Sequence, residues 1–147
     1  RKMAKVAVDN ALFVAKLERK PCVTESLHIH GWCKAVNSSD PLHYYGADAE
    51  AVKKLAEQNT VWQEQLHDAF PYIKAQVIWA VRNEMAITVE DVLARRIRML
   101  FLDAHAALQS APAVAKLMAE EMGKDEAWQQ DQLKDFTVLA QGYLLPI

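Results

Sequence analysis

Ile73-Lys74-Ala75-Gln76-Val77-Ile78-Trp79-Ala80-Val81-Arg82-Asn83-Glu84-Met85 is the stretch on which the fold turns. Ile73, Val77, Ala80, Val81 and Met85 recur at helical steps, Ile78 and Trp79 widen the stripe, and neither Gly nor Pro interrupts it. The spacing predicts a helix with one broad buried face. Just beyond it, Thr88 offers an N-cap, with Asp91 three residues on in the acidic position of a capping-box-like start. Val89, Val92, Leu93, Ile97, Leu100 and Phe101 then predict a second amphipathic helix running to about Leu102. Glu84 falls on the apolar stripe of the first helix and Arg96 among Leu93, Ile97 and Leu100 on the second. Charges on core faces need partners, because a lone desolvated charge is strongly unfavourable. The two positions therefore predict an interhelical Glu84 to Arg96 bridge, or Glu84 to Arg95 if the second helix is rotated slightly. The alternative is that both side chains snorkel to solvent from the edge of the stripe. Asp91 and Arg95, four residues apart, predict a surface pair.

Working outward, Met3 to Leu17 repeats apolar or small residues near helical spacing, and Pro21 follows as a stop. Residues 19 to 43 contain Pro21, Gly31, Asn37-Ser38-Ser39-Asp40 and Pro41, which predicts a long ordered loop. Asp48 to Asn59 returns to helical composition, and a short helix is expected from Val61 to Ala69, before Pro71. Asp103 can cap the segment after Leu102. Pro112 is expected in a tolerated first turn, and Val114, Leu117, Met118 and Met122 carry a stripe to a stop at Gly123. A last helix is expected from about Asp125, packing through Leu133, Phe136, Ala140 and Tyr143. The fold class is all-α: a compact bundle of about five to seven helices with one long ordered loop near residues 19–43.

Composition agrees. The 147 residues hold four Gly and five Pro, while about one residue in six is Ala, a bias toward helix and against sheet. One domain is the length expectation. Seventeen Lys plus Arg against nineteen Asp plus Glu, with the signs interspersed, give a net charge of -2 and no field that would gather nucleic acid. Apolar runs fall well short of the ~20 residues that cross a bilayer, and two Cys are too few for a disulfide framework, so a cytoplasmic protein is expected. The chain opens on Arg1 inside an amphipathic pattern, and it is read as a piece of a longer polypeptide.

Cys22, His28, His30 and Cys33 raise the question of zinc, but C-x5-H-x-H-x2-C lacks the close Cys or His clamp of a tetrahedral site. Ordinary loop residues are the expectation there, with a metal site as the open alternative. Glu25-x-x-His28 and Glu64-x-x-His67 repeat a di-iron string, without the two further inward Glu that such a site needs. Trp62, Phe70, Tyr72 and Trp79 are expected in the core. No P-loop, G-x-G-x-x-G or G-x-S-x-G occurs.

Ala80-Val81-Arg82-Asn83-Glu84-Met85-Ala86 followed by Thr88-Val89-Glu90-Asp91-Val92-Leu93-Ala94-Arg95-Arg96 resembles a family pattern, A-V-R-x-E-x-A-x-T-x-x-D-V-L-x-R-R, continuing into R-x-x-L-F-L-D-A at Arg98 to Ala104. The pattern is that of the C-terminal domain of FAD-dependent glycerol-3-phosphate dehydrogenases and alpha-glycerophosphate oxidases. Arg1-Lys2-Met3-Ala4 is similar to the tail of that family's G-G-K-x-T-T-Y-R-x-M-A segment, and Val114 to Gly123 is similar to its V-A-x-L-M-A-x-E-L-G helix. The likeness is weakest over residues 32 to 70 and after Lys124. It implies that residues 1–147 are one helical C-terminal accessory domain, excised from a longer flavoenzyme. That enzyme would oxidise sn-glycerol 3-phosphate to dihydroxyacetone phosphate, pass a hydride to FAD and reduce a quinone, with oxygen as the acceptor in oxidase relatives.

The family's flavin and phosphate contacts lie upstream of Arg1. The resemblance therefore places no catalytic, cofactor-binding or metal role on any residue here, and the isolated fragment is expected to be inactive. Glu84, Thr88, Asp91, Arg95 and Arg96 carry over as a structural motif. The partners implied are the chain's own catalytic domain, a second copy in a homo-oligomer, and a membrane face with its quinone met peripherally from the cytoplasmic side. The competing expectation is a self-contained helical protein-interaction module.

Overall fold

The computed structural model describes residues 1–144. Among them are six α-helices: α1 (Lys2–Val14), α2 (Ala49–Glu57), α3 (Lys74–Asn83), α4 (Met99–Leu102), α5 (Ala104–Met122) and α6 (Glu126–Gln141). A π-helical turn covers Asp91–Arg96, and 3₁₀ turns cover His43–Asp48 and Thr60–Gln63. The described residues form no strand, so the fold is all-α as the periodicity predicts. Irregular chain links α1 to the first 3₁₀ turn, over nearly the whole of the expected loop.

α5 organises the core. Its buried face is mostly Ala, with Val114, Leu117 and Met118 among them, and it packs against α6, α3 and α4. Leu93, Met99, Leu100 and Phe136 fill the space around it, each at least 98% buried. At roughly 1.5–3 kcal/mol for full burial of a side chain of this size, these contacts dominate the packing energy. Both long helices are capped by aspartate. Asp103 accepts from Ala106 N at 3.0 Å and Asp125 accepts from Trp128 N at 2.9 Å. A smaller cluster, Leu42, Tyr45 and Val52, leans on the main core through Trp79.

The elements depart from their sequence expectations at four places. Val61 to Ala69 is not a helix. Only Thr60–Gln63 coils, and the chain then turns back, with Leu66 N donating to Tyr72 O at 2.8 Å and Lys74 N to Glu64 O at 2.9 Å. Two of the aromatic residues that punctuate this return, Phe70 and Tyr72, stack at 5.6 Å. The expected helix from Thr88 to Leu102 is broken, because Arg98 takes φ 58°. Met85 ends α3 with φ 57° and is 86% exposed instead of extending the stripe. Pro112 lies in the interior of a continuous α5, on its exposed side, and leaves the helix one backbone donor short.

Candidate functional site

Where α3 stops, Met85 enters the left-handed region and Ala86 N donates back to Ala80 O, six residues earlier, at 3.0 Å, which closes the last turn. Glu84 is thereby the C-cap of α3, at φ -124°. The next element begins with a reciprocal box. Asp91 N donates to Thr88 Oγ1 at 3.1 Å, while Asp91 Oδ2 accepts from Thr88 N at 3.0 Å and Ile87 N at 3.1 Å. Its far end is a wide turn in which Ile97 N reaches Val92 O, five residues back, at 3.0 Å.

This geometry delivers Arg96 to the α3 terminus. Arg96 Nε lies 3.4 Å from Glu84 Oε2, and its Nη2 donates to the Glu84 carbonyl. The guanidinium therefore meets the carboxylate and the negative end of the helix together. The two side chains are 27% and 29% exposed, between a surface pair and a buried one. Burial pushes the Glu84 carboxyl above the usual carboxylate range, Arg96 and Trp79 pull it down, and Asp48 adds a further upward push; the net direction is up. Arg95 turns the other way, with Nη1 on Asp91 Oδ1 at 2.6 Å and Nη2 on Glu90 Oε1 at 2.5 Å. Burial raises the Asp91 carboxyl, but the donors at Ile87, Thr88 and Arg95 together outweigh it and hold the group low. All five motif residues thus meet at one junction between α3 and the π-helical turn. Its chemistry is that of a clasp: charges neutralised in place and backbone ends satisfied.

The loop candidates are not brought together. Cys22 Sγ lies 3.1 Å from Thr24 Oγ1, and Cys33 Sγ contacts Ala35 O at 3.4 Å. His28 stacks on Trp32, and His30 Nε2 sits 2.6 Å from Asp48 Oδ2. Glu25 lies 3.5 Å from Arg1, Glu64 pairs with Lys74 at 2.5 Å, and His67 bonds Gln109 at 2.7 Å, so neither Glu-x-x-His string faces the other. Among the described residues no three His, Cys, Asp or Glu converge.

Several ties escape a sequence reading because their partners lie far apart along the chain. Arg82 grips Glu121 through two bonds, Nε at 2.5 Å and Nη2 at 2.8 Å, joining α3 to α5. Gln76, fully buried, accepts from Ile73 N at 2.7 Å and donates to the Tyr44 and Tyr45 hydroxyls. Burial pushes the Tyr45 phenol up to about 12, keeping it a neutral partner. The polar residue three positions into a helix was the one available signal for Gln76.

A flavin dinucleotide needs glycines to bring the backbone against its pyrophosphate. Here the glycines are engaged elsewhere. Gly46 faces the Gly31 carbonyl so closely that a Cβ would stand 2.0 Å from that oxygen, Gly123 terminates α5, and Gly142 follows α6. The residues present do not fit FAD.

Residues 22–129 match the model for the C-terminal domain of alpha-glycerophosphate oxidase. The chain is 32% identical to a probable mitochondrial glycerol-3-phosphate dehydrogenase of Caenorhabditis elegans, covering 91% of this chain and 21% of the relative. It is 31% identical to the mitochondrial glycerol-3-phosphate dehydrogenase of Mesocricetus auratus, covering 93% and 22%. A probable mitochondrial glycerol-3-phosphate dehydrogenase of Dictyostelium discoideum is 30% identical, over 85% and 21%. The chain spans about one fifth of the length of these relatives. No solved structure matches it significantly. The chain belongs to the family of the C-terminal domain of alpha-glycerophosphate oxidase.

Proposed function

We propose that this chain is the helical C-terminal domain of an FAD-dependent glycerol-3-phosphate dehydrogenase, and that it packs against the flavin-binding body without taking part in the redox step. In this reading the whole enzyme oxidises sn-glycerol 3-phosphate to dihydroxyacetone phosphate and hands the electrons through FAD to a quinone at a membrane surface. The match of residues 22–129 to the C-terminal domain carries the proposal. The lack of fit for FAD supports it, because the glycerol-3-phosphate chemistry then has to reside on the remaining four fifths of a polypeptide like its relatives. No helix among the described residues is long and apolar enough to cross a membrane, which suits peripheral attachment.

α1 adds a second support. It precedes the matched segment and buries none of its residues, leaving Met3, Val6, Phe13 and Val14 exposed. An amphipathic helix of this length is marginal without packing, so this face calls for the body that adjoins it in the longer proteins. The test is turnover and flavin content. A polypeptide carrying both bodies should reduce a dye with glycerol 3-phosphate and hold FAD, whereas the 147-residue chain should do neither. Stoichiometric FAD on the 147-residue chain, or turnover by it, would overturn the proposal.

A further inference from the structure

The break between the π-helical turn and α4 places Arg98 at φ 58° and ψ 20°, a conformation that suits Gly and that gives an arginine no local benefit. A π-turn followed, one residue on, by a left-handed non-glycine residue is a double irregularity, of the kind that gathers at binding sites. Its effect is to set the Arg98 side chain over the Phe101 ring, 5.9 Å from the centroid. Neighbouring arginines all have carboxylates: Arg82 has Glu121, Arg95 has Asp91 and Glu90, and Arg96 has Glu84. Among the described residues Arg98 has none within ion-pair distance. It borders a groove of about 360 Å³ whose other walls include Tyr44, Tyr72, Ile97, Phe101 and Leu102. Phe101 and Leu102 are 51% and 63% exposed there, an apolar strip beside a cation that no described carboxylate pairs. Burial raises the Tyr72 phenol, with Arg98 pulling it partly back, so Tyr72 offers a neutral hydroxyl near the same charge.

We infer that this groove binds a small organic monoanion, its carboxylate on the Arg98 guanidinium and its hydrocarbon or aromatic body along Ile97, Phe101 and Leu102. One unmatched cation suits one charge, and the volume lies at the lower end of small-molecule pockets. A guanidinium fork matches a carboxylate geometrically, and the strain at Arg98 is retained because Gly in its place would lose that fork. The site is local to this domain and is independent of the dehydrogenase reading.

The test titrates the full chain with octanoate and, in parallel, with the neutral octanol, following backbone amide shifts at Ile97 to Leu102. Octanoate should bind with shifts centred on Arg98 and Phe101. Arg98→Gly should weaken octanoate at least about tenfold, leave octanol binding unchanged, and raise Tm by a few degrees as the backbone strain is relieved. Phe101→Ser, an exposed change, should weaken both ligands. No octanoate binding by the unaltered chain, or equal octanoate affinity in Arg98→Gly, would overturn the assignment.

Discussion

Asp91 takes two backbone N–H groups on one oxygen and Arg95 on the other, so its removal orphans donors at the start of a buried element. Asp91→Ala should cost about 2 kcal/mol in a urea melt at neutral pH. Its carboxyl is held below its ordinary value in the folded state, so this stabilisation is complete above the unfolded pKa and disappears as pH falls through the folded one. The gap between the native chain and Asp91→Ala should therefore narrow as the melts move from about pH 7 to about pH 3. Glu84 has the opposite sign. Its folded pKa is raised, so the linked stability is complete below the unfolded pKa and is lost as pH rises through the folded value. Glu84→Gln should gain on the native chain as pH climbs through that window. Glu84→Ala should cost about 1–2 kcal/mol, between an exposed and a buried pair, because Arg96 loses its carboxylate but keeps the α3 carbonyl. The pair itself was legible from two charges on apolar stripes. Its geometry was not, since a helix wheel carries no record of where α3 ends.

At the scale of elements, periodicity located α3, α5 and α6 because each has a recurring apolar face, which α3 and α5 bury over most of their length and α6 buries at Phe136 and Ala140. It failed where the backbone leaves helix geometry without Gly or Pro to announce it. Lys16, Met85 and Arg98 are the three cases, and at the last two the tertiary contacts made by the following residues, Ala86 and Met99, only 1% and 0% exposed, select the bend. Met85→Gly should stabilise the chain by about 0.5–1 kcal/mol, since the side chain is exposed and the left-handed conformation becomes easy. A thermal or urea melt reads this directly, and a loss of stability would show that Met85 makes contacts the bend depends on. The loop between α1 and the first 3₁₀ turn is held by a backbone contact in which Ala47 N donates to Gly31 O at 2.9 Å, at the point where Gly46 approaches most closely. Gly46→Ala should release the loop while leaving the bundle folded. Amide exchange at Ala47 should then rise sharply, and exchange within α5 should be unchanged.

The whole molecule divides into a packed bundle and an arm that buries almost nothing. From Lys2 to Lys20 no residue is buried, whereas α5 alone buries a face along its full length. The bundle was legible as all-α from composition and spacing, and the family from the Glu84 to Arg96 motif. The bareness of α1 was not, because its stripe of Met3, Val6, Ala7, Ala11 and Val14 reads on paper like any other amphipathic helix. What covers that stripe is the central matter. Hydrogen exchange of the Lys2–Val14 amides should be compared between the 147-residue chain and a dehydrogenase polypeptide that also contains the flavin-binding body. Exchange should be fast in the former and strongly slowed in the latter; equally fast exchange in both would mean that α1 does not dock on the flavin-binding body.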